Sequence, residues 1–190
     1  MIPQQGVILY GPPAAGKDTV TAALTKLDGR YGQFARLKIG SGKNAGYRMG
    51  TSEHLRNLEA VGDVVYANSR YGNTYVIDRP GVDAAFAAGV PVVHLGQIDG
   101  IRAVVDGYLA DWAVVLLWCP REVTEQRSGA RGDSDTVARL AAWEATRKDL
   151  DAHPDTGWDL AVDTTVTSPA ESARLIDQLL VQRAGMRRHD

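Results

Sequence analysis

A glycine-bracketed turn near the N-terminus constrains the fold more than any other feature of this sequence. The apolar run Val7-Ile8-Leu9-Tyr10 precedes it, and a segment with helical periodicity begins at Gly16-Lys17. Small residues let backbone N–H groups curl around an anion, and the start of a helix adds partial positive charge. A strand, a glycine-rich turn, a lysine and a helix in this order form the Walker A motif, which predicts a phosphate-binding loop.

The loop residues predicted to bind the phosphates of ATP are Gly11, Pro13, Ala14, Ala15, Gly16, Lys17, Asp18 and Thr19. Lys17 would bridge the outer phosphates and act in catalysis. Asp18 stands where a serine or threonine usually gives a hydroxyl to Mg²⁺, and we predict that its carboxylate holds this ion directly or through water. The alternative is an ordinary glycine-rich turn before a helix, but the strand, the spacing and the lysine occur together.

Short apolar runs alternate with helical stretches along the chain. Strands are predicted at 7–10, 34–39, 74–77, 90–95, 112–118 and 158–162, and helices at 16–27, 52–60, 82–88, 98–109, 122–126, 136–150 and 169–183. This alternation implies right-handed crossovers and a parallel sheet covered by helices on both faces. We therefore predict an α/β fold, a P-loop NTPase three-layer sandwich, in a single domain of 190 residues.

Composition argues against several classes of function. The formal net charge of −2 gives no basic excess for coating a nucleic acid polymer. The single cysteine, Cys119, excludes an intramolecular disulfide and favours a reducing cytoplasm. No signal peptide or membrane-spanning run is recognisable, and the four histidines and one cysteine lack zinc-ligand spacing. We expect a cytoplasmic protein that binds no membrane, as a monomer or homodimer.

Several segments resemble, in order along the chain, the guanylate kinase family of nucleoside monophosphate kinases. They are the loop at 11–19, the stretches 45–55 and 71–75, the strand and turn at 87–101, the arginines between 127 and 139, and the strand at 158–163. The resemblance implies a core at 1–37, 76–120 and 140–184, an acceptor-binding insertion at about 38–75, and a lid at about 120–140 that closes to exclude water. It also implies that ATP, with Mg²⁺, donates its γ-phosphoryl group to a small phosphorylated acceptor.

The residues predicted to bind the acceptor are Lys38, Tyr47, Arg48, Tyr66, Tyr75, Gln97 and Asp99. By the resemblance, Tyr47 and Tyr75 would hydrogen-bond the acceptor's phosphate, and Lys38, or Arg36 instead, would replace a family arginine. Tyr66 falls where the family has a glutamate that reads guanine, and a phenol cannot accept from two donors as a carboxylate does. Guanine recognition therefore does not follow, and the acceptor is a nucleoside monophosphate or a sugar phosphate.

Other roles have competing interpretations. Arg127 and Arg131 share a helix face and are predicted to clamp ATP and stabilise transition-state charge, unless they form a solvated basic face. The cationic segment containing Lys38 and Arg48 is either an anion clamp or a flexible surface loop. Asp99 either binds an acceptor hydroxyl or metal-bound water, or caps a helix. His94 is expected to be a hydrogen-bonded core residue without a catalytic role.

Three functions are therefore compared. The first is a kinase for a small phosphorylated acceptor, the second an authentic guanylate kinase, and the third an inactive nucleotide-binding scaffold. Lys17 and the two lid arginines argue against the scaffold, because a protein without catalysis has little need of them.

Overall fold

The structure is a computed structural model that describes residues 4–42, 44–70, 72–130 and 136–186. The strands in chain order are β1 (Gln5–Tyr10), β2 (Tyr31–Gln33), β3 (Arg36–Ile39), β4 (Tyr47–Gly50), β5 (Val64–Arg70), β6 (Asn73–Asp78), β7 (Val90–Leu95), β8 (Asp111–Trp118) and β9 (Leu160–Asp163). The helices are α1 (Lys17–Leu27), α2 (Ser52–Val61), α3 (Arg79–Ala88), α4 (Ile98–Gly107), α5 (Arg121–Ala130), α6 (Thr136–Ala152) and α7 (Pro169–Met186).

The central sheet has five parallel strands in the order β2-β7-β1-β8-β9. Strand β1 lies in the middle, and its side chains alternate between two buried layers. Val7 and Leu9 pack with residues of α1 and α7, whereas Ile8 and Tyr10 pack with residues of α3 and α4. The prediction of an α/β fold of the P-loop NTPase type, with helices on both faces of a parallel sheet, is confirmed.

A second sheet, in the order β4-β3-β6-β5, lies within residues 36–78. Its small core contains Leu37, Leu58 and Val76, with α2 covering one side. Helix α2 begins where the side chain of Thr51 accepts a hydrogen bond from the amide of His54, and it ends at a glycine with φ 76°. This sheet overlaps the insertion predicted at about 38–75, whose role in binding an acceptor stays a prediction.

The strand predicted at 34–39 is confirmed in part, as β3 over Arg36–Ile39, whereas β2 at Tyr31–Gln33 was not predicted. The chain forms β2 in the central sheet, bends at Phe34–Ala35, and then forms β3 in the second sheet. The bend follows from packing, because Phe34 is buried in the central core and Leu37 in the small one. Strands β4 and β5 were not predicted. Within the described ranges, no helix combines the length and the apolar character needed to cross a membrane.

Candidate functional site

The phosphate loop joins β1 to α1 in a tightly constrained conformation. At Gly11, with φ 156°, an added Cβ would lie 2.1 Å from the carbonyl oxygen of Leu117 in β8. Gly16 caps α1 in the left-handed region with φ 93°. Ala14 has φ 60°, an uncommon value for a residue with a side chain. Such strained conformations concentrate at functional sites, and here they shape the turn between strand and helix.

Lys17 is folded over this loop. Its Nζ donates hydrogen bonds to the carbonyl oxygens of Gly11, at 2.6 Å, and Pro12, at 2.9 Å. Burial lowers the pKa of Lys17 to about 8; Asp18 opposes this shift, and the charges of Arg36 and Arg70 add to it. The ammonium group therefore lies in a cationic neighbourhood that a bound anion would neutralise.

Nucleotide binding is expected to be coupled to proton uptake through Lys17. In the free protein the ammonium loses its proton as the pH rises through about 8. A bound triphosphate favours the charged form and raises the pKa, so binding at pH 8.5 should take up roughly half a proton or more. Nucleotide affinity should fall as the pH rises further.

Calorimetric titration with ATP in two buffers of different ionisation enthalpy measures this uptake. A Lys17→Met protein that still binds ATP should show no such uptake. Equal uptake by the wild-type and Lys17→Met proteins would contradict the assignment.

One opening beside the loop, here called the central cavity, has a volume of about 650 Å³. Its walls are formed by Gly11, Pro13, Lys17, Arg36, Tyr47, Asn68, Ser69, Arg70, Tyr75, His94, Leu95, Gly96, Gln97, Ala142, Ala145, Thr146 and Asp149. The guanidinium carbon of Arg36 lies 5.2 Å from the ring centre of Tyr75, and the rings of Tyr47 and Tyr75 are 5.3 Å apart. The loop lysine, two arginines and two tyrosines thus face one space.

Four of the predicted acceptor-binding residues are not in that wall. Lys38 is buried, and its Nζ donates to the carbonyl oxygen of Ser41 at 2.6 Å. Arg48 forms an ion pair with the buried Asp78 and donates from Nε to the carbonyl oxygen of Ala35 at 2.9 Å. The guanidinium group of Arg48 is therefore paired with groups beside the second sheet, and it does not line the central cavity.

The other two are Tyr66 and Asp99. The Tyr66 hydroxyl donates to Oε1 of Gln97 at 2.7 Å. Tyr66 therefore contacts a residue of the cavity wall without lining the cavity itself. Asp99 is exposed in the first turn of α4, 4.0 Å from Arg102. The hypothesis that Asp99 caps this helix is wrong, because Gln97 occupies the N-cap position. The acceptor-binding roles of all seven residues stay predictions.

Arg127 lies against the other side of the loop. Its Nη1 donates to the carbonyl oxygen of Ala14 at 2.9 Å and to Oγ1 of Thr164 at 3.1 Å, and Nη2 donates to the carbonyl oxygen of Thr164 at 2.7 Å. It borders a second opening, here called the lateral cavity, of about 370 Å³ between the loop and α7. Arg131, the other predicted lid arginine, lies outside the described residues.

The sequence analysis predicted no functional role for two residues of the cavity wall, His94 and Asp149. His94 is the last residue but one of β7. Ligand sites form at the carboxyl ends of parallel strands, and this position was the available signal. Asp149 belongs to α6, and nothing in its local sequence indicates a site. Its Oδ2 accepts hydrogen bonds from the Tyr10 hydroxyl at 2.9 Å and the Ile98 amide at 2.8 Å. Burial, together with this hydrogen bond, raises the pKa of Tyr10.

Asp18 fits the predicted role of a metal ligand. Its carboxylate is 79 % exposed, follows Lys17 directly, and lies 3.5 Å from Nδ1 of His94. In the described part of the chain there is no group of three or more His, Cys, Asp or Glu side chains able to hold a metal ion. The role of Asp18 in holding Mg²⁺ therefore stays a prediction.

The sequence profile of the chloramphenicol phosphotransferase-like proteins matches residues 5–181 of this chain. The chain belongs to this family. Members of the chloramphenicol phosphotransferase-like family are P-loop kinases, so the loop described above is that of a phosphotransferase. No match to the chain was found among the curated proteins.

Solved kinase structures share the fold of this family member. Guanylate kinase from Anaplasma phagocytophilum is 15% identical, with 97% of this chain and 88% of that chain covered and a TM-score of 0.64. Shikimate kinase from Acinetobacter baumannii is 17% identical, with coverages of 96% and 95% and a TM-score of 0.50. At such identities the likeness is one of fold, and the resemblance to guanylate kinases in particular stays a prediction.

Proposed function

We propose that this chain transfers the γ-phosphoryl group of ATP to a small acceptor that already carries a phosphate, either a nucleoside monophosphate or a sugar phosphate. The observation that carries this proposal is the central cavity, in which Lys17 of the phosphate loop shares one space with Arg36 and Arg70. The charges of both arginines lower the pKa of Lys17, so the three cations act on one another. Two anionic groups brought together there would relieve that repulsion.

The donor site is proposed on the other side of the loop. The lateral cavity is lined by small and apolar residues, among them Ala14, Val20 and Pro169, and Arg127 borders it. Such a surface suits a planar nucleobase, and a guanidinium group can stack on its ring. If the nucleobase binds in this way, the phosphates of ATP would lie along the amides of the loop and reach Lys17 at the central cavity.

Catalysis would then consist of positioning and charge stabilisation. Lys17 is proposed to follow the negative charge that develops on the transferred group, and Arg127 to hold the donor through the loop. Asp18 would help to hold the Mg²⁺ that accompanies ATP, and the ion would supply positive charge to the phosphates. Arg36, with Tyr47 and Tyr75, is proposed to fix the acceptor's own phosphate.

The family name suggests a different acceptor, an alcohol without a phosphate. The cations of the central cavity favour an anionic acceptor over a neutral one, because burying uncompensated positive charges is unfavourable. Authentic guanylate kinase activity is the other alternative. It requires a guanine-reading group, and the Tyr66 hydroxyl is already paired with Gln97.

An acceptor panel tests the proposal with ATP, Mg²⁺ and a coupled assay for ADP. The panel pairs each phosphorylated compound with its dephosphorylated counterpart: GMP with guanosine, pentose and hexose phosphates with the free sugars, and chloramphenicol as a neutral alcohol. We expect turnover only with phosphorylated members. Faster turnover of a neutral acceptor would contradict the proposal, and tight ATP binding without turnover of any phosphorylated acceptor would favour the inactive scaffold.

An arginine variant sharpens the panel. Arg36→Leu is expected to raise the KM for the phosphorylated acceptor at least about tenfold, since a charge-assisted contact is lost, with little change in the KM for ATP. Arg56→Leu, at an exposed position of α2, is the matched control. Equal changes in both KM values would place Arg36 outside the acceptor site.

A further inference from the structure

The carboxylate of Asp149 in α6 lies in the wall of the central cavity, and the proposed transfer gives it no role. Lys17, Arg36 and Arg70 give the same wall positive charge. The Asp149 side chain is 20 % exposed, so a molecule in the cavity can contact it. The central cavity therefore presents both signs of charge to a ligand, whereas a site for phosphate alone needs only the positive one.

The neighbours of Asp149 leave its carboxylate with acceptor capacity. Oδ2 accepts from the Tyr10 hydroxyl and the Ile98 amide. Oδ1 lies 3.2 Å from Nδ1 of His153, and that nitrogen is also 2.9 Å from the backbone carbonyl oxygen of Asp149. A carboxylate has about four acceptor positions. Whichever ring nitrogen of His153 carries the proton, Nδ1 gives Oδ1 at most one hydrogen bond. At least one lone pair of Oδ1 therefore has no donor among the described residues.

The carboxylate lies on the side of the cavity that Gln97 forms. Ile98, whose amide binds Asp149, directly follows Gln97 in the chain. The Tyr66 hydroxyl, paired with Gln97, senses both charges of the cavity. Burial raises the pKa of Tyr66; the charge of Arg36 opposes this shift, and nearby carboxylates, that of Asp149 among them, add to it. A small molecule that contacts Arg36 can therefore also reach Asp149.

We propose that the carboxylate of Asp149 binds a hydroxyl or amino group of the phosphorylated acceptor while Arg36 binds its phosphate. A carboxylate only accepts hydrogen bonds, so it favours donor groups and repels a second anionic group. The acceptor class is therefore a phosphate monoester that carries a free hydroxyl or amino group, and no second acid group, where it meets Asp149. The inference rests on the proposed function, because the cations that bind the phosphate fix where the rest of the acceptor lies.

A purely structural role for Asp149 makes different predictions. Its hydrogen bonds join α6 to β1 and α4, so losing the carboxylate would displace the wall without any contact to the acceptor. Tyr10→Phe separates the two roles, since it removes one of these hydrogen bonds and keeps the carboxylate in the cavity. Tyr10 itself is fully buried and does not line the cavity.

Calorimetric titration of the full chain tests the inference, with the donor site filled by a non-hydrolysable ATP analogue and Mg²⁺. The probes are two matched pairs of phosphate esters. AMP and purine riboside 5′-monophosphate differ only in the amino group of the base. Sorbitol 6-phosphate and 6-phosphogluconate differ only in a hydroxymethyl group against a carboxylate. In at least one pair we expect the donor-bearing member to bind at least about tenfold more tightly, because the other member loses a charge-assisted hydrogen bond. The pair that discriminates tells whether the donor belongs to a nucleobase or to a sugar chain.

Three variants assign this preference to its residue. Asp149→Asn should reduce the ratio of affinities to about threefold or less, because the negative charge is gone. Asp151→Asn, at an exposed position of the same helix, is the matched control and should leave the ratio unchanged. Tyr10→Phe should also leave it unchanged. If Asp149→Asn does not fold, the wild-type affinities still decide, since equal values within both pairs contradict the inference.

The outcomes separate this inference from the proposed function. Equal affinities within both pairs, a ratio that survives in folded Asp149→Asn protein, or an equal loss of the ratio in Tyr10→Phe overturns the inference and leaves the proposed function standing. If none of the four esters binds, the inference falls as well, and the acceptor panel decides separately on the proposed function.

Discussion

Replacing Lys17 with alanine is expected to lower turnover by about 10²–10³-fold while the fold persists. The ammonium group lies within hydrogen-bond distance of two loop carbonyl oxygens and faces the central cavity. There it can follow charge onto the transferred phosphoryl group, and an alanine leaves that charge without a donor. Because the interaction strengthens in the transition state, the effect should fall on kcat more than on the KM for ATP.

Lys26→Ala is the matched control for this substitution. Lys26 occupies the last turn of the same helix and is exposed, so its removal should leave turnover unchanged. Thermal unfolding of both variants verifies that the fold is retained. An unchanged rate in folded Lys17→Ala protein would remove the case for catalysis at this loop.

Arg48→Leu is expected to lower the free energy of unfolding by about 3 kcal/mol, because it leaves a buried carboxylate without its counter-charge. Asp78 is 1 % exposed, caps α3 by accepting from the Gly81 amide at 2.8 Å, and pairs with Arg48. Chemical denaturation measures the loss. The substitution should act on stability far more than on the KM for an acceptor, in contrast to Arg36→Leu.

Two comparisons test the cause. Arg56→Leu removes an exposed arginine from the neighbouring helix and should change stability by less than about 0.5 kcal/mol. Combining Arg48→Leu with Asp78→Asn removes the orphaned charge, so the double variant should lose less than the sum of the single losses. A stable Arg48→Leu protein with a strongly raised acceptor KM would instead support the acceptor-binding role predicted from the sequence.

The central part of the fold was predictable because its signals are local. The apolar run of β1, the glycine-bracketed turn and the helix from Lys17 to Leu27 are contiguous, and each has its own pattern. The same holds for β7 and β8, which are buried and apolar along nearly their whole length. Strand β4 escaped prediction because it contains no apolar run. Strand β5 does begin with four apolar residues, at 64–67, but none of its residues is fully buried and its second half is polar.

Residues of the candidate site were predictable only where they lie within a recognisable local sequence motif. Lys17, Tyr47 and Tyr75 face the central cavity, and each lies in a recognisable motif. Lys38 and Arg48 belong to a cationic segment too, but the sequence cannot show that a carbonyl group and a buried aspartate bind their cationic groups. Asp149 joins the wall through contacts with strand and helix residues far away in sequence, for which no local pattern exists.

The carboxylate of Asp149 has a consequence for how the molecule opens. This carboxylate, which belongs to α6, accepts hydrogen bonds from the hydroxyl of Tyr10 in β1 and from the amide of Ile98 in α4. If α6 detached alone, both donors would be left in the interior without an acceptor, at a cost of about 1–3 kcal/mol each. We therefore expect the amide hydrogens at the end of α6, in the central strand and at the start of α4 to exchange together as one cooperative unit, which a hydrogen-exchange measurement would show.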